Sequence, residues 1–286
     1  MAEAAPLLKN KHYGQASVFR PERLLREARR QKELPAGNVP AVCVLDPDGD
    51  IVAYLLRKKW ARRNRAWSCY HTALHEFERN GMTYGIIGCA VGGPFAVLLA
   101  EQLFVSGCRV LISITSAGQI RPLRPPPYFV LIEKALRDEG ASHHYLPPAP
   151  YAHLGRVVRE TLAGALKHCS PAVERGATWT TDAPYRETAD AIRYAKAEGI
   201  LAVEMEAASL YAFAEARRKT VVCFAHVTNQ MGNTKNDFEK GESSGSVASL
   251  QLIETVARCL RRKTRSAEAV SPGSVCVSRS KKRTDT

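Results

Sequence analysis

Glu204, Met205 and Glu206 set two carboxylates and a thioether inside the otherwise apolar run 199–214. A carboxylate held away from water is costly unless something binds it. Sugar hydroxyls donate and carboxylates accept, so a polyol such as ribose suits this pair. Met205 between them offers a soft apolar surface to a sugar ring. The same acids also fit an ordinary helix start, where the dipole favours negative charge. Spacing alone leaves both readings open.

Other candidates stand at similar places. Asp46-Pro47-Asp48-Gly49-Asp50 is a turn with three acids. Its carboxylates suit a cation or the activation of water at Asp48 or Asp50, but capping of the next helix is the better-supported role. Gly92 and Gly93 precede a helix, where a ligand can approach the backbone and the helix N-terminus favours anions. Their spacing matches neither a dinucleotide fingerprint nor a P-loop. Ser116, in Thr115-Ser116-Ala117-Gly118, is a small hydroxyl suited to a phosphate or sugar pocket. Asp182, Tyr185 and Arg186 form a polar turn suited to a base pocket or a lid; a capped loop is the plainer alternative. Asn229 and Gln230 follow the last apolar run. His143-His144 has no third ligand at metal spacing, so no metal site is expected.

These residues need elements to hold them. Residues 39–45, 84–89, 109–115, 128–136, 172–181, 200–203 and 220–227 read as strands. Residues 51–59, 95–106, 155–168, 187–197, 207–218 and 246–262 read as helices. Tight strand–turn–helix units are the parts of a parallel α/β sheet. Ligands bind such sheets at the carboxyl ends of strands. Residues 60–79 are mixed and basic, with Trp67, Tyr70 and His71. Aromatics beside cations can stack on bases, yet nothing periodic marks a nucleic-acid module there, and packing is the default. Residues 21–32 read as a basic amphipathic helix with Leu24, Leu25 and Ala28 on one side.

With 286 residues and 45% hydrophobic content the chain has enough for one large core. Three parts are expected: an N-terminal extension (1–37), a main domain (38–262) and a basic, disordered tail (263–286). The net charge of +13 is uneven, with eight Lys/Arg against two acids from 261 to 286. Such a tail is ordinarily a solvated end, and nucleic-acid contact through it is the lesser reading. The cysteines show no zinc or redox spacing, and Cys43, Cys89 and Cys223 are expected to be small buried hydrophobes. Reduced thiols and no evident signal peptide point to the cytoplasm. No apolar run reaches the roughly 20 residues of a membrane span.

Together these pieces resemble the nucleoside phosphorylase superfamily, in particular its uridine and purine phosphorylase branch. Val203-Glu204-Met205-Glu206-Ala207-Ala208 is the most specific carrier. Ile86 to Pro94, Leu111 to Gly118, Gly140-Ala141-Ser142 and Thr181-Asp182 before Pro184-Tyr185 follow in order. The resemblance implies an α/β three-layer sandwich around a mixed, partly closed central sheet, and a homo-oligomer. It implies cleavage of a nucleoside N-glycosidic bond to free base and ribose 1-phosphate, without a cofactor. Glu206, with Glu204, would hold the ribose hydroxyls; Met205 would pack under the sugar and Gly92 and Ser116 would line the site. Asn229, Asp182, Tyr185, Arg186 and Gln230 would face the base. Asn229 stands where relatives carry an aspartic acid or an arginine, and it cannot supply a proton. The arginines that gather phosphate in the family are missing from the Leu45–Asp50 turn, from the position near Tyr70 and from Ser113. That departure raises two alternatives: a nucleoside hydrolase using water, and an inactive nucleoside-binding protein.

Overall fold

A computed structural model describes residues 5–167, 169–231, 235 and 237–269, with side chains described up to 261. The tail residues 270–286 lie outside the described part. The elements run α1 (Pro21–Gln31), β1 (Val42–Asp46), α2 (Asp50–Arg57), β2 (Ala61–Arg63), β3 (His75–Arg79), β4 (Met82–Gly88), α3 (Gly93–Val105) and β5 (Val110–Gln119). They continue as β6 (Tyr128–Asp138), β7 (Tyr151–His153), α4 (Arg156–Ala165), β8 (Val173–Thr181), α5 (Ala189–Ala197), β9 (Ile200–Glu204), α6 (Ala207–Arg217), β10 (Thr220–Asn229) and α7 (Ser246–Ala269).

Five strands close on themselves in the order β5-β9-β8-β6-β10, because β10 pairs with both β6 and β5. β1, β4, β3 and β2 extend from β5 as an open wing. The sheet is mixed: β5 runs parallel to β10 and β1, and antiparallel to β9. This is the mixed, partly closed sheet that the resemblance implies.

β5 carries both halves, and it shares one edge between two partners. β1 pairs with Val110 to Ser113, whereas β9 pairs only with Gly118 and Gln119. Residues 114–117 therefore have no strand partner on that edge, while β10 follows them on the other. The sheet forks there. A fork at the carboxyl ends of parallel strands leaves a crevice, the place where α/β sheets take ligands.

The packing follows from the sequence. β1, β5 and β10 are buried almost throughout, and their apolar residues dominate the first half of each, as strands covered on both faces require. α6 is buried from Ala207 to Phe213, since its small alanines let it lie close to its neighbours. Ser209 puts one hydroxyl into that face and Tyr211 a second. The Tyr211 hydroxyl donates to Ile132 O on β6 (2.5 Å) and accepts from Cys223 N–H on β10 (3.1 Å), so it is not left dry. α1 seats Leu25 and Ala28 against the body.

Four expectations need correction. Residues 60–79 contain β2 and β3, which the mixed, charged composition hid. β5 continues to Gln119, so Ser116 lies inside the strand, not in a turn after it. Cys89 is exposed, with a positive φ of 60° just past β4, while Cys43 and Cys223 are buried. α7 runs on to Ala269, beyond the expected helix end at Arg262.

Candidate active site at the fork of the sheet

Three elements end at the fork. β9 delivers Glu204 and Glu206 to the N-terminus of α6. β4 delivers Gly92 and Gly93 to the N-terminus of α3. β1 delivers the acidic turn 46–50. Ser116 lies between them, in the stretch of β5 that has β10 on one edge and no strand on the other.

Glu204 is 3% exposed and fully engaged. Its Oε1 accepts from the Thr178 and Thr180 hydroxyls on β8. Its Oε2 accepts from the N–H groups of Glu206 and Ala207, both at 2.7 Å. Thr178 and Thr180, two apart on one strand, necessarily share a face, and β8 sets Thr180 opposite Glu204. Glu204 is thus the anchor of α6. Burial pushes its carboxyl above the ordinary value, and the four donors oppose that shift.

Glu206 is 1% exposed and only half engaged. Its Oε1 accepts from Gly92 N–H at 2.7 Å. Its Oε2 is buried with no hydrogen-bond partner. Burial, and then the charge of Glu204, push Glu206 up to about 7. Gly92 can offer its N–H because it holds φ +92°, a conformation that favours glycine. At Gly93 a Cβ would overlap Ser209 Oγ, so glycine there permits close approach of α3 and α6. Ser209 Oγ donates to the buried Glu139. Met205, half-buried, separates the two acids.

The acidic turn divides its tasks. Asp46 Oδ2 accepts from Val52 N–H at 3.0 Å and so caps α2, as turn chemistry leads one to expect. Burial pushes Asp46 up to about 7. Asp48 and Asp50 instead share a cation: Lys240 Nζ lies 3.2 Å from Asp48 Oδ2 and 2.5 Å from Asp50 Oδ2. Ser116 Oγ donates to the same Asp48 oxygen. His226, beside Ser116 in the β10–β5 pairing, stacks on Phe129 with centroids 4.5 Å apart. Burial pushes it down to about 4, so it is neutral at neutral pH.

The remaining candidates have other partners, and only Asn229 among them is buried. Asp182 is exposed and accepts from Gly140 N–H at 2.8 Å. Tyr185 is 98% exposed and Arg186 is exposed, on a single turn of 3-10 helix. Asn229 donates to Thr228 Oγ1 (3.2 Å) and, across to β5, to Ala117 O (3.5 Å), and accepts from Met231 N–H (2.9 Å). Gln230 N–H donates to Asp237. The structure therefore joins Gly92 with Glu206, and Asp48 with Asp50 and Ser116. It brings neither Asp182, Tyr185, Arg186, Asn229 nor Gln230 into hydrogen-bond contact with them. Lys240 and His226 were missed. Lys240 sits in a polar loop nearly 200 residues from its partners, and His226 in an apolar strand, so neither carries a local signal. The Thr178/Thr180 alternation was a signal that could have been read. Among the described residues no three metal-type ligands cluster.

Known proteins bear on this arrangement. An uncharacterised protein of Acanthamoeba polyphaga mimivirus is 29% identical over 194 residues, covering 64% of this chain and 76% of that protein. A guanosine phosphorylase of Halorubrum lacusprofundi is 25% identical over 230 residues, covering 79% and 86%. Two crystal structures of uridine phosphorylase from Vibrio fischeri ES114 superpose with TM-scores of 0.64 and 0.65 at 21% and 22% identity. They cover 77% of this chain and 92% and 93% of theirs, a likeness of fold. The profile of the Phosphorylase superfamily matches residues 41–261, from the start of β1 into α7, and the chain belongs to that superfamily.

Proposed function

We propose that the chain cleaves the N-glycosidic bond of a nucleoside, releasing the free base and ribose 1-phosphate, in the cytoplasm and as a homo-oligomer. The observation that carries this reading is Glu206: one oxygen fixed by Gly92 N–H, the other buried and unpartnered at the fork. Such an oxygen accepts a ribose hydroxyl at little cost, because it is already out of water. A phosphate oxygen attacks C1′, the C1′–N bond breaks, and its electron pair leaves with the base. As positive charge grows on the sugar, the Glu206 carboxylate faces it in a dry site, where it stabilises the transition state more than the ground state. The departing base needs a hydrogen bond or a proton. Asn229 supplies no proton, and Asp182, Arg186 and Gln230 are the groups proposed to face the base.

One observation favours water as the acceptor instead. Asp48 already takes the Ser116 hydroxyl and the Lys240 ammonium, two donors an incoming phosphate would want. A carboxylate so placed is suited to hold and deprotonate water. Base release from uridine, inosine, guanosine, adenosine and their deoxy forms, with and without phosphate, separates the readings. Turnover only with phosphate supports phosphorolysis; turnover without it supports hydrolysis. A nucleoside-dependent rise in Tm without turnover supports a binding protein. Asp48→Asn sharpens the comparison. It should depress any phosphate-independent release, and by loosening Ser116, with Lys240 still paired to Asp50, it should lower the KM for phosphate by about threefold.

A further inference from the structure

The segment Arg57-Lys58-Lys59-Trp60-Ala61-Arg62-Arg63-Asn64-Arg65 carries six cations and no acid. It runs from the end of α2 through β2, the outermost strand of the open wing. All six cations and Trp60 are exposed. Among the described residues only Arg62 meets an acid, Glu76 at 3.7 Å, and its side chain is still 78% exposed. Like charges so crowded repel one another and destabilise the compact chain.

The ridge is held in shape. α2 closes with Lys58 N–H on Tyr54 O (3.0 Å), Lys59 N–H on Leu56 O (2.9 Å) and Trp60 N–H on Leu55 O (2.9 Å). Lys59 takes φ 57° there, the left-handed form in which helices usually end on glycine. Buried Tyr54 gathers the neighbouring side chains. Trp60 meets its ring edge-on with centroids 5.9 Å apart, and the Arg57 guanidinium and Lys58 ammonium lie 5.6 and 5.8 Å from its centre. Trp60 keeps 54% of its surface in solvent. Beside it a cavity of about 590 Å³ opens between Lys59, Trp60 and Arg62 on one side and residues 76–80 on the other. The acids there are Glu76, which Asn64 and Arg62 already engage, and Glu78. The place is remote from Glu206. Ala61 is in register with Phe77, and Phe77 with Tyr84. From Tyr84 to the end of β4 at Gly88 is about 13 Å of strand, and Gly92, which holds Glu206, lies beyond.

We propose that this ridge is a second functional surface, which binds single-stranded nucleic acid through phosphate contacts from its cations and a base stacked on Trp60. Arginine and lysine neutralise a phosphate backbone, and an exposed indole accepts the face of any base. The cavity beside Trp60 has room for that base. Strand geometry selects a flexible partner over a flat one, because Arg62 and Arg63, adjacent on β2, point to opposite faces of the wing. A bilayer touches one face, whereas a flexible polyanion passes round the edge and meets both. A second copy of the chain is disfavoured, since a two-fold interface would press the ridge against itself. The binding stands apart from the glycosidic chemistry and does not need it.

Fluorescence anisotropy of the full chain with labelled oligothymidylate and oligouridylate of about 20 nucleotides, between about 50 and 200 mM salt, tests it. At the lower salt a Kd of about 10 µM or tighter is expected. Arg57→Gln/Lys58→Gln/Lys59→Gln keeps the long side chains and removes three charges. It should weaken binding about tenfold or more and lower the slope of log affinity against log salt by about 2, because each phosphate contact on a single strand contributes about 0.7. Trp60→Ala should cost about tenfold and leave that slope unchanged, because stacking releases no counterions. Glu206→Gln should bind as the parent chain does. These ridge positions are exposed, and circular dichroism checks that the variants fold. Every variant keeps the basic end of the chain, so an affinity that ignores the triple substitution would assign the binding to that end and overturn the proposal. So would no saturable binding up to about 100 µM protein at the lower salt. A duplex of equal length bound more tightly than either single strand, or phosphatidylserine vesicles taking up the protein in preference to the oligonucleotides, would equally overturn it.

Discussion

Four donors converge on the Glu204 carboxylate, and one on that of Glu206. The difference sets two substitutions of the same type apart. Glu204→Gln turns an acceptor into a donor against the N–H groups of α6 or the threonine hydroxyls, leaving buried groups unpaired. It should cost about 2–3 kcal/mol and lower Tm by several degrees in a thermal melt. Glu206→Gln removes a buried charge and keeps an oxygen for Gly92 N–H, so its Tm should stay level or rise. Its kcat/KM for the cleaved nucleoside should fall by about 10²–10³, the usual loss of one preorganised electrostatic group. The raised value of Glu206 gives a second readout. Below pH 7 the protonated form predominates, and the carboxylate that answers a sugar cation grows in above it. The kcat/KM profile should therefore rise through a pH of about 7, and Glu206→Gln should flatten that limb. The Glu204-Met205-Glu206 run was legible in the sequence as a candidate site. Which of its acids is the free one was not, because that depends on two threonines contributed by β8.

At the scale of elements, the helices and apolar strands were readable to within a few residues, the end of α7 excepted, since period and Ala-rich composition mark them strongly. β2, β3 and β7 were not. β3 reads His75-Glu76-Phe77-Glu78-Arg79, with one buried side chain, and the outer wing to which it belongs is charged as exposed sheet edges tend to be. β2 and β7 are three residues each, too short for any periodicity. The meeting of α3 with α6 offers its own test. Gly93→Ala should drive the helices apart, lowering Tm and loosening Gly92 from Glu206. Ser209→Gly in the same chain should restore part of both, since it removes the side chain that the new Cβ meets. Thermal melts and base release on the single and double variants read the two effects.

For the molecule as a whole, closure of the five-strand ring joins residues far apart in sequence: Val110 pairs with Thr220, and Gly118 with Asn229. A chain cut after residue 218 keeps eight of the nine strands other than β7 and most helices, yet leaves the edges of β5 and β6 bare. Such edges are templates for pairing with other chains, so the truncated protein should pellet while the full chain stays soluble in the same expression and centrifugation assay. The net charge and the basic end of the chain say nothing of this. It comes from topology. On the ribosome the same geometry means that β5 waits through the synthesis of about a hundred further residues before its second edge is covered. Long-range pairings of that kind slow folding and expose a growing chain to its neighbours, so the last strand to be made is the one that seals the fold.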